Sequence, residues 1–156
     1  MKTAVVFYSL DGNCALIAEE LKTLLKADVI RLLTTDEKKR KGLAKFFWCC
    51  KMMLSSKNPS LKPYTFDPAA YDFIIIGSPV WAGGPASPVR TLVSRTGITG
   101  KKIAIFICHA GGKGKAFEKL RVLFNGNTIL FEADFCKAVQ NSETVKQQIA
   151  DWVKGF

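Results

Sequence analysis

Hydrophobic positions along the chain fall into short continuous runs that alternate with stretches of helical period. Runs of strand type occupy 3–8, 28–33, 73–77, 103–108 and 128–135, among them Ala4-Val5-Val6-Phe7-Tyr8 and Ile103-Ala104-Ile105-Phe106-Ile107. Between them, apolar residues recur at three- and four-residue spacing over 14–25, 43–54, 88–94, 116–124 and 143–153, which predicts five helices. Asn141 and Ser142 are N-cap candidates for the last of these. Strands apolar at consecutive positions are buried on both faces, so their strict alternation with helices predicts an α/β domain with a parallel sheet covered on each side. Five strands in a doubly wound sheet place a ligand at their carboxyl ends, near the topological switch point. The chain has 156 residues, no internal repeat and no low-complexity linker, which predicts one domain over 1–156.

Three segments at that edge carry unusual chemistry. The first, Ser9-Leu10-Asp11-Gly12-Asn13-Cys14, joins a buried strand to a helix. Such a junction aims backbone N–H groups and the positive end of a helix dipole at one point, which suits a phosphate. It lacks both Gly-x-x-x-x-Gly-Lys and the three-glycine dinucleotide fingerprint, so it is neither kind of nucleotide loop. The second is Gly77-Ser78-Pro79-Val80-Trp81-Ala82-Gly83-Gly84-Pro85, read as a loop in which glycines let backbone approach a flat ligand and the indole offers a stacking face. The third is Cys108-His109-Ala110-Gly111-Gly112-Lys113-Gly114. One loop fit for phosphate and two for an aromatic ring describe a phosphorylated planar cofactor.

On these residues the chain resembles the short-chain flavodoxins over nearly its whole length. The resemblance rests on Tyr8-Ser9-Leu10-Asp11-Gly12-Asn13-Cys14, set against the family's Ser/Thr-x-Thr-Gly-x-Thr, and on the more specific Gly77-Ser78-Pro79-Val80-Trp81-Ala82-Gly83. It implies a flavodoxin-like, doubly wound five-stranded parallel sheet of order 2-1-3-4-5 and a redox protein transferring electrons through noncovalently bound FMN. Carried over by position, it implies that Ser9, Leu10, Asp11, Gly12, Asn13 and Cys14 hold the FMN phosphate, with Ser78 assisting. Pro79, Val80, Trp81, Ala82 and Gly83 then line the isoalloxazine, and Cys108, His109, Ala110, Gly111 and Gly112 its pyrimidine side. No residue qualifies as a required acid, base or nucleophile, and no metal site is expected.

The departures from that pattern set further expectations. Asp11 and Cys14 stand where the family has threonines, and a lost hydroxyl removes a charge-assisted hydrogen bond of about 1.5–3 kcal/mol. An Asp11 carboxylate about 4 Å from a phosphate would be repelled by roughly 4 kcal/mol per unit charge at an effective dielectric near 20. The expected arrangement therefore turns Asp11 away, bonded within its own turn. His109, the only histidine, stands where flavodoxins commonly stack a Tyr. Two readings of it stand: a proton source beside the flavin, or a polar loop residue bonding its own backbone. Trp81 likewise reads as ring contact or as a core anchor for its loop.

Charge changes the picture of partners. The net charge is +10, whereas electron-carrying flavodoxins are usually acidic. Between Glu37 and Asp67 there is no acidic residue, while Lys38, Lys39, Arg40, Lys41, Lys45, Lys51, Lys57 and Lys62 all fall there. The helix inside this segment is expected to bury Leu43, Phe46, Phe47, Cys50, Met53 and Leu54 on one face, leaving Trp48 and Met52 off it. Its basic face reads as a solvated surface, or as contact over 38–62 with an acidic redox partner or an anionic membrane. Nucleic acid is not expected, because no recognition motif accompanies the patch. Five cysteines, an odd set without metal spacing, and an N-terminus without signal-peptide pattern predict a cytoplasmic protein with reduced thiols; vicinal Cys49-Cys50 leaves a redox or metal pair as the alternative. No run is long enough to span a bilayer. Two alternatives to an electron carrier stand: an NAD(P)H- or quinone-linked FMN reductase, and a non-redox binding module that has kept the fold and lost FMN. The pattern selects no oligomeric state.

Overall fold

A computed structural model describes residues 1–36, 42–55 and 58–156, without the side chains at 42, 46, 53 and 54. Lys38, Lys39, Arg40, Lys41 and Lys57 of the basic run lie outside the described residues, as do the side chains of Phe46, Met53 and Leu54. The elements run β1 (Thr3–Tyr8), α1 (Asn13–Leu25), β2 (Asp28–Leu32), α2 (Gly42–Leu54), β3 (Phe73–Trp81), β4 (Gly84–Pro85), α3 (Ser87–Thr96), β5 (Lys102–His109), α4 (Ala116–Leu123), β6 (Thr128–Cys136) and α5 (Ser142–Val153). The sheet order is β2-β1-β3-β5-β6, and every pair along that path is parallel. This is the expected 2-1-3-4-5 order of parallel strands. The sheet has six strands rather than five, because the two-residue β4 folds back antiparallel on the end of β3.

The central strands hold the sheet because their apolar residues serve both faces at once. All six residues of β1 are buried. Val5, Phe7, Ile75, Ala104 and Phe106 pack one face against Ile17 and Leu21 of α1 and Val145 and Ile149 of α5. Val6, Tyr8, Ile74, Ile76, Ile105 and Ile107 pack the other against Cys49 of α2, Val89 and Leu92 of α3, and Leu120 of α4. At roughly 25 cal/mol per Å² of apolar surface, these two layers supply the dominant drive to fold. α3 carries Pro in its first turn and closes on Gly97 at φ 57°, a left-handed cap suited to glycine.

Two sequence expectations need correction. Ser78, Pro79, Val80 and Trp81 are not loop: β3 continues through them, paired with β5 as far as Pro79↔Cys108. A Ser-Pro pair reads as a turn, yet Pro fits at a strand end where its missing N–H is not needed by the ladder. The buried face of α2 is also different from the one expected. Cys49 is 8% exposed and Trp48 and Met52 pack against the core, whereas Leu43 and Phe47 are 76% and 67% exposed. Apolar residues surround nearly the whole helix, so periodicity alone does not choose the stripe. An aromatic layer does: the Trp48 ring meets Trp81 edge-on at 5.6 Å.

Gly77 is required for a reason unrelated to any ligand. A Cβ built there would stand 2.1 Å from Cζ of Phe106, on the neighbouring strand. The close backbone approach that this glycine permits is to a fully buried phenyl ring.

Candidate functional site

β1 has β2 on one side and β3 on the other, so the chain reverses its direction of winding between β1 and β3. At the carboxyl ends of these strands lies a cleft of about 680 Å³. It is the position at which open α/β sheets bind ligands. Of the predicted site residues, Ser9, Leu10, Asp11, Asn13, Cys14, Pro79, Val80, Trp81, Ala82, Cys108, His109 and Ala110 all line it. Gly12, Ser78, Gly83, Gly111 and Gly112 do not.

The first wall is the β1–α1 turn. Gly12 sits at φ 87°, a left-handed conformation, immediately before α1. The Ser9 hydroxyl accepts the Ala15 N–H at 3.3 Å, which anchors the turn to the first turn of the helix. Asn13 Oδ1 accepts the Val139 N–H at 3.0 Å and so ties this turn to the loop after β6. α1 has no acidic residue in its first turn, so its positive dipole end is not offset within the helix. Cys14 is 1% exposed, and burial pushes its thiol well above the usual range, reinforced by a hydrogen bond with Cys108. It is a neutral group at this wall, without thiolate reactivity. Asp11 turns to Lys45 of α2, whose Nζ lies 2.5 Å from Oδ2, rather than to its own turn.

The second wall is the β3–β4 hairpin. Ala82 at φ 45° and Gly83 at φ 72° form its two-residue turn, with both central residues left-handed as tight hairpins require. Trp81 is 7% exposed, edge-on to Tyr8 at 5.4 Å and to Trp48 at 5.6 Å, and still presents atoms to the cleft. It is thus both core anchor and cleft wall. Ser78 is fully buried; its hydroxyl accepts the Ala86 N–H and donates to the Pro79 carbonyl, each at 2.9 Å. Its hydrogen bonds pin the hairpin base, away from the cleft. Behind the hairpin, a Cβ on Gly114 would meet Cα of Gly83 at 2.6 Å, and the Lys115 N–H donates to the Gly83 carbonyl at 2.9 Å. The β5–α4 loop therefore braces the turn.

The third wall is the end of β5. His109 Nε2 faces Asp134 Oδ2 at 3.1 Å, and Lys113 Nζ holds Oδ1 of the same carboxylate at 2.9 Å. Lys113 first, and then His109, hold the Asp134 carboxyl below the usual carboxylate range. The His109 Nδ1 is buried and meets no hydrogen-bond partner among the described residues. Gly111 and Gly112 are exposed, with open space around them.

Six lining residues were not foreseen as site residues: Lys45, Cys49 and Cys50 from α2, and Lys137, Val139 and Gln140 after β6. For the β6 segment the signal was topological, since every loop at the carboxyl edge of a parallel sheet adjoins the same crevice. Cys49 and Cys50 are reduced cysteines, and no group of three or more potential metal ligands forms among the described residues. No helix of the described residues is long and apolar enough to cross a membrane.

Solved structures decide the fold. The chain superposes on the solution structure of two-electron reduced Megasphaera elsdenii flavodoxin with a TM-score of 0.60, covering 94% of this chain and 95% of that one at 17% identity. The chain has a flavodoxin-like fold. A flavoprotein from Lactobacillus acidophilus NCFM, crystallised in complex with FMN, matches at TM-score 0.75 and 24% identity over 90% of this chain and 97% of its own. A protein from Bacteroides uniformis ATCC 8492 matches at TM-score 0.81 and 22% identity over 96% and 97%. No protein-family model matches the chain, and no curated protein matches it in sequence. In this flavodoxin-like fold, the cleft occupies the crevice beside the switch point.

Proposed function

We propose that this chain binds FMN noncovalently in the cleft and carries electrons by way of the bound flavin. One observation carries the reading: the β1–α1 turn, the β3–β4 hairpin and the end of β5 converge on a single cleft at the switch point of a flavodoxin-like sheet. The FMN complex of the similar Lactobacillus protein supports it. The residues present fit the group. A cleft of about 680 Å³ lies within the roughly 300–1,000 Å³ of small-molecule sites. Asn13 and Cys14 bring the N-terminal turn of α1 to the cleft, where a phosphate would meet the positive end of the helix, and the buried His109 Nδ1 has no hydrogen-bond partner among the described residues.

When bound, FMN supplies the redox chemistry, and the protein sets its orientation and electrostatics. The backbone around Gly12 and Asn13 is assigned to the phosphate, and Trp81 and Ala82 to the ring. Cys14 stays neutral because it is buried, which spares the phosphate a second anion. Asp134 and Lys113 fix the His109 ring. We assign the redox partner to an acidic protein, because the net charge is +10 and α2, which lines the cleft through Lys45, also exposes Leu43, Phe47 and Lys51. Five cysteines outside any disulfide favour a cytoplasmic setting.

Titration of FMN into the purified apoprotein tests the reading. Flavin fluorescence should quench with a dissociation constant of micromolar or tighter, about −8 kcal/mol. Absence of quenching at millimolar FMN would leave a non-redox module as the surviving reading. A reductase reading draws on the exposed loop at Gly111 and Gly112, which leaves the third wall open to a second substrate. Sustained NADPH oxidation by the flavin-loaded protein alone would favour it, whereas a carrier turns over only with a partner reductase.

A further inference from the structure

Loading by FMN poses an electrostatic problem at the β1–α1 turn. Asp11 sits in the turn assigned to the phosphate, and a phosphate monoester carries close to two negative charges near neutrality. The structure brings an answer from 34 residues away: Lys45, on α2, pairs with Asp11. Both residues line the same cleft as Ser9, Asn13 and Cys14. Lys137 lines it from the loop that Asn13 holds in place.

We propose that Lys45 is a phosphate-binding residue of this site and that Asp11 is its keeper in the unloaded protein. The inference rests on the FMN reading and deepens it, by naming what replaces the two hydroxyls this turn lacks. The side chains of Lys45 and Asp11 are 32% and 51% exposed, so their ion pair is solvent-screened and weak. A single screened carboxylate competes poorly for an ammonium against a nearly dianionic phosphate lying on a helix N-terminus. Lys45 therefore exchanges Asp11 for the phosphate, or bridges the two, and the repulsion expected between Asp11 and phosphate is offset in either arrangement. Lys45 and Lys137 against Asp11 leave the lined charge positive by one. Selection of phosphorylated over unphosphorylated flavin thus rests on charge supplied by α2 rather than on turn hydroxyls.

The test compares FMN with riboflavin, which has the same ring and no phosphate, by fluorescence quenching in wild-type protein, Lys45→Met, Asp11→Asn and the double variant. Lys45→Met should weaken FMN by roughly 10- to 100-fold, the range for removing one charged hydrogen-bond partner, and leave riboflavin within about twofold. Asp11→Asn should not weaken FMN. The double variant should recover part of the loss seen in Lys45→Met, because it removes the anion that Lys45 no longer neutralises. In wild-type protein the preference for FMN over riboflavin should shrink as salt rises. Equal losses for both flavins in Lys45→Met, or none for FMN, would overturn this role while leaving FMN binding intact. Failure of either flavin to bind wild-type protein would overturn the FMN reading and this inference together. Thermal melts of each variant separate a folding defect from a binding one.

Discussion

Replacing Gly77 by Ala puts a methyl group where a ring already stands. The new Cβ would lie 2.1, 2.6 and 2.7 Å from Cζ, Cε1 and Cε2 of Phe106. Ordinary contact begins near 3.4 Å, so the ring must retreat by more than an ångström. It has nowhere to retreat, since Phe106 is fully buried and its ring packs edge-on to Phe135 at 6.4 Å. Overpacking of this kind typically costs about 1–3 kcal/mol, and a rigid aromatic on a central strand places Gly77→Ala at the top of that range or above. At about 2–4 °C per kcal/mol for a chain of this size, the melting temperature should fall by roughly 6–12 °C. Urea unfolding and differential scanning calorimetry read the loss directly. The second variant Gly77→Ala/Phe106→Leu should regain part of it, because the shorter side chain vacates the clash. A single variant within about 0.5 kcal/mol of wild type, the spread of ordinary surface substitutions, would refute the steric argument. So would a double variant no better than the single one.

Three further outcomes follow from the same coordinates. Ser78→Ala should cost about 1–3 kcal/mol in urea unfolding, because it leaves the fully buried Ala86 N–H without an acceptor. Its preference for FMN over riboflavin should not change, and a lowered preference would restore Ser78 to the phosphate site. Trp81→Ala should destabilise by roughly 3–5 kcal/mol, the range for deleting a buried Trp, and weaken both flavins alike. Asp134 has its carboxyl pKa lowered in the fold by Lys113 and His109, so its stabilising contribution is full above the unfolded value of about 3.9 and is lost as pH falls through the lower folded value. The stability gap between wild type and Asp134→Asn, measured by denaturant at pH 7 and at successive steps below pH 4, should therefore close in acid. A gap that persists undiminished below pH 3 would contradict the assignment.

The framework was legible because the physics that builds it is local. β1, β3 and β5 are buried on both faces, so each reads as a continuous apolar run, and the predicted helices lie between them within a few residues. What the sequence obscured lay where two local signals compete or where distance intervenes. Ser78-Pro79 carries turn chemistry but continues a strand, since its neighbours Gly77 and Cys108 hold the ladder around it. α2 is apolar nearly all round, and only the proximity of Trp81 to Trp48 decides which stripe faces inward. Lys45 reads as one lysine in a basic run until the fold sets it against Asp11. Gly77 was legible as a position needing glycine, but the body that approaches it is Phe106.

The same distances explain why the turn chemistry is misleading when judged residue by residue. Each anomalous residue at the cleft has a counterpart on an element remote in sequence. Asp11, unfavourable beside a phosphate, is met by Lys45 of α2. Cys14, which lacks the expected hydroxyl, is kept uncharged by burial and by Cys108 of β5. His109, where an aromatic was expected, has its ring set by Asp134 of β6 and by Lys113, which holds that carboxylate. Desolvation and charge pairing act through space, so a turn that departs from a motif at two positions does not by that fact lose its ligand. The motif records one solution to holding a dianion at a helix N-terminus with hydroxyls. A cation delivered from a neighbouring helix is another, and it has a different signature: an affinity that falls with salt and a phosphate preference that follows Lys45.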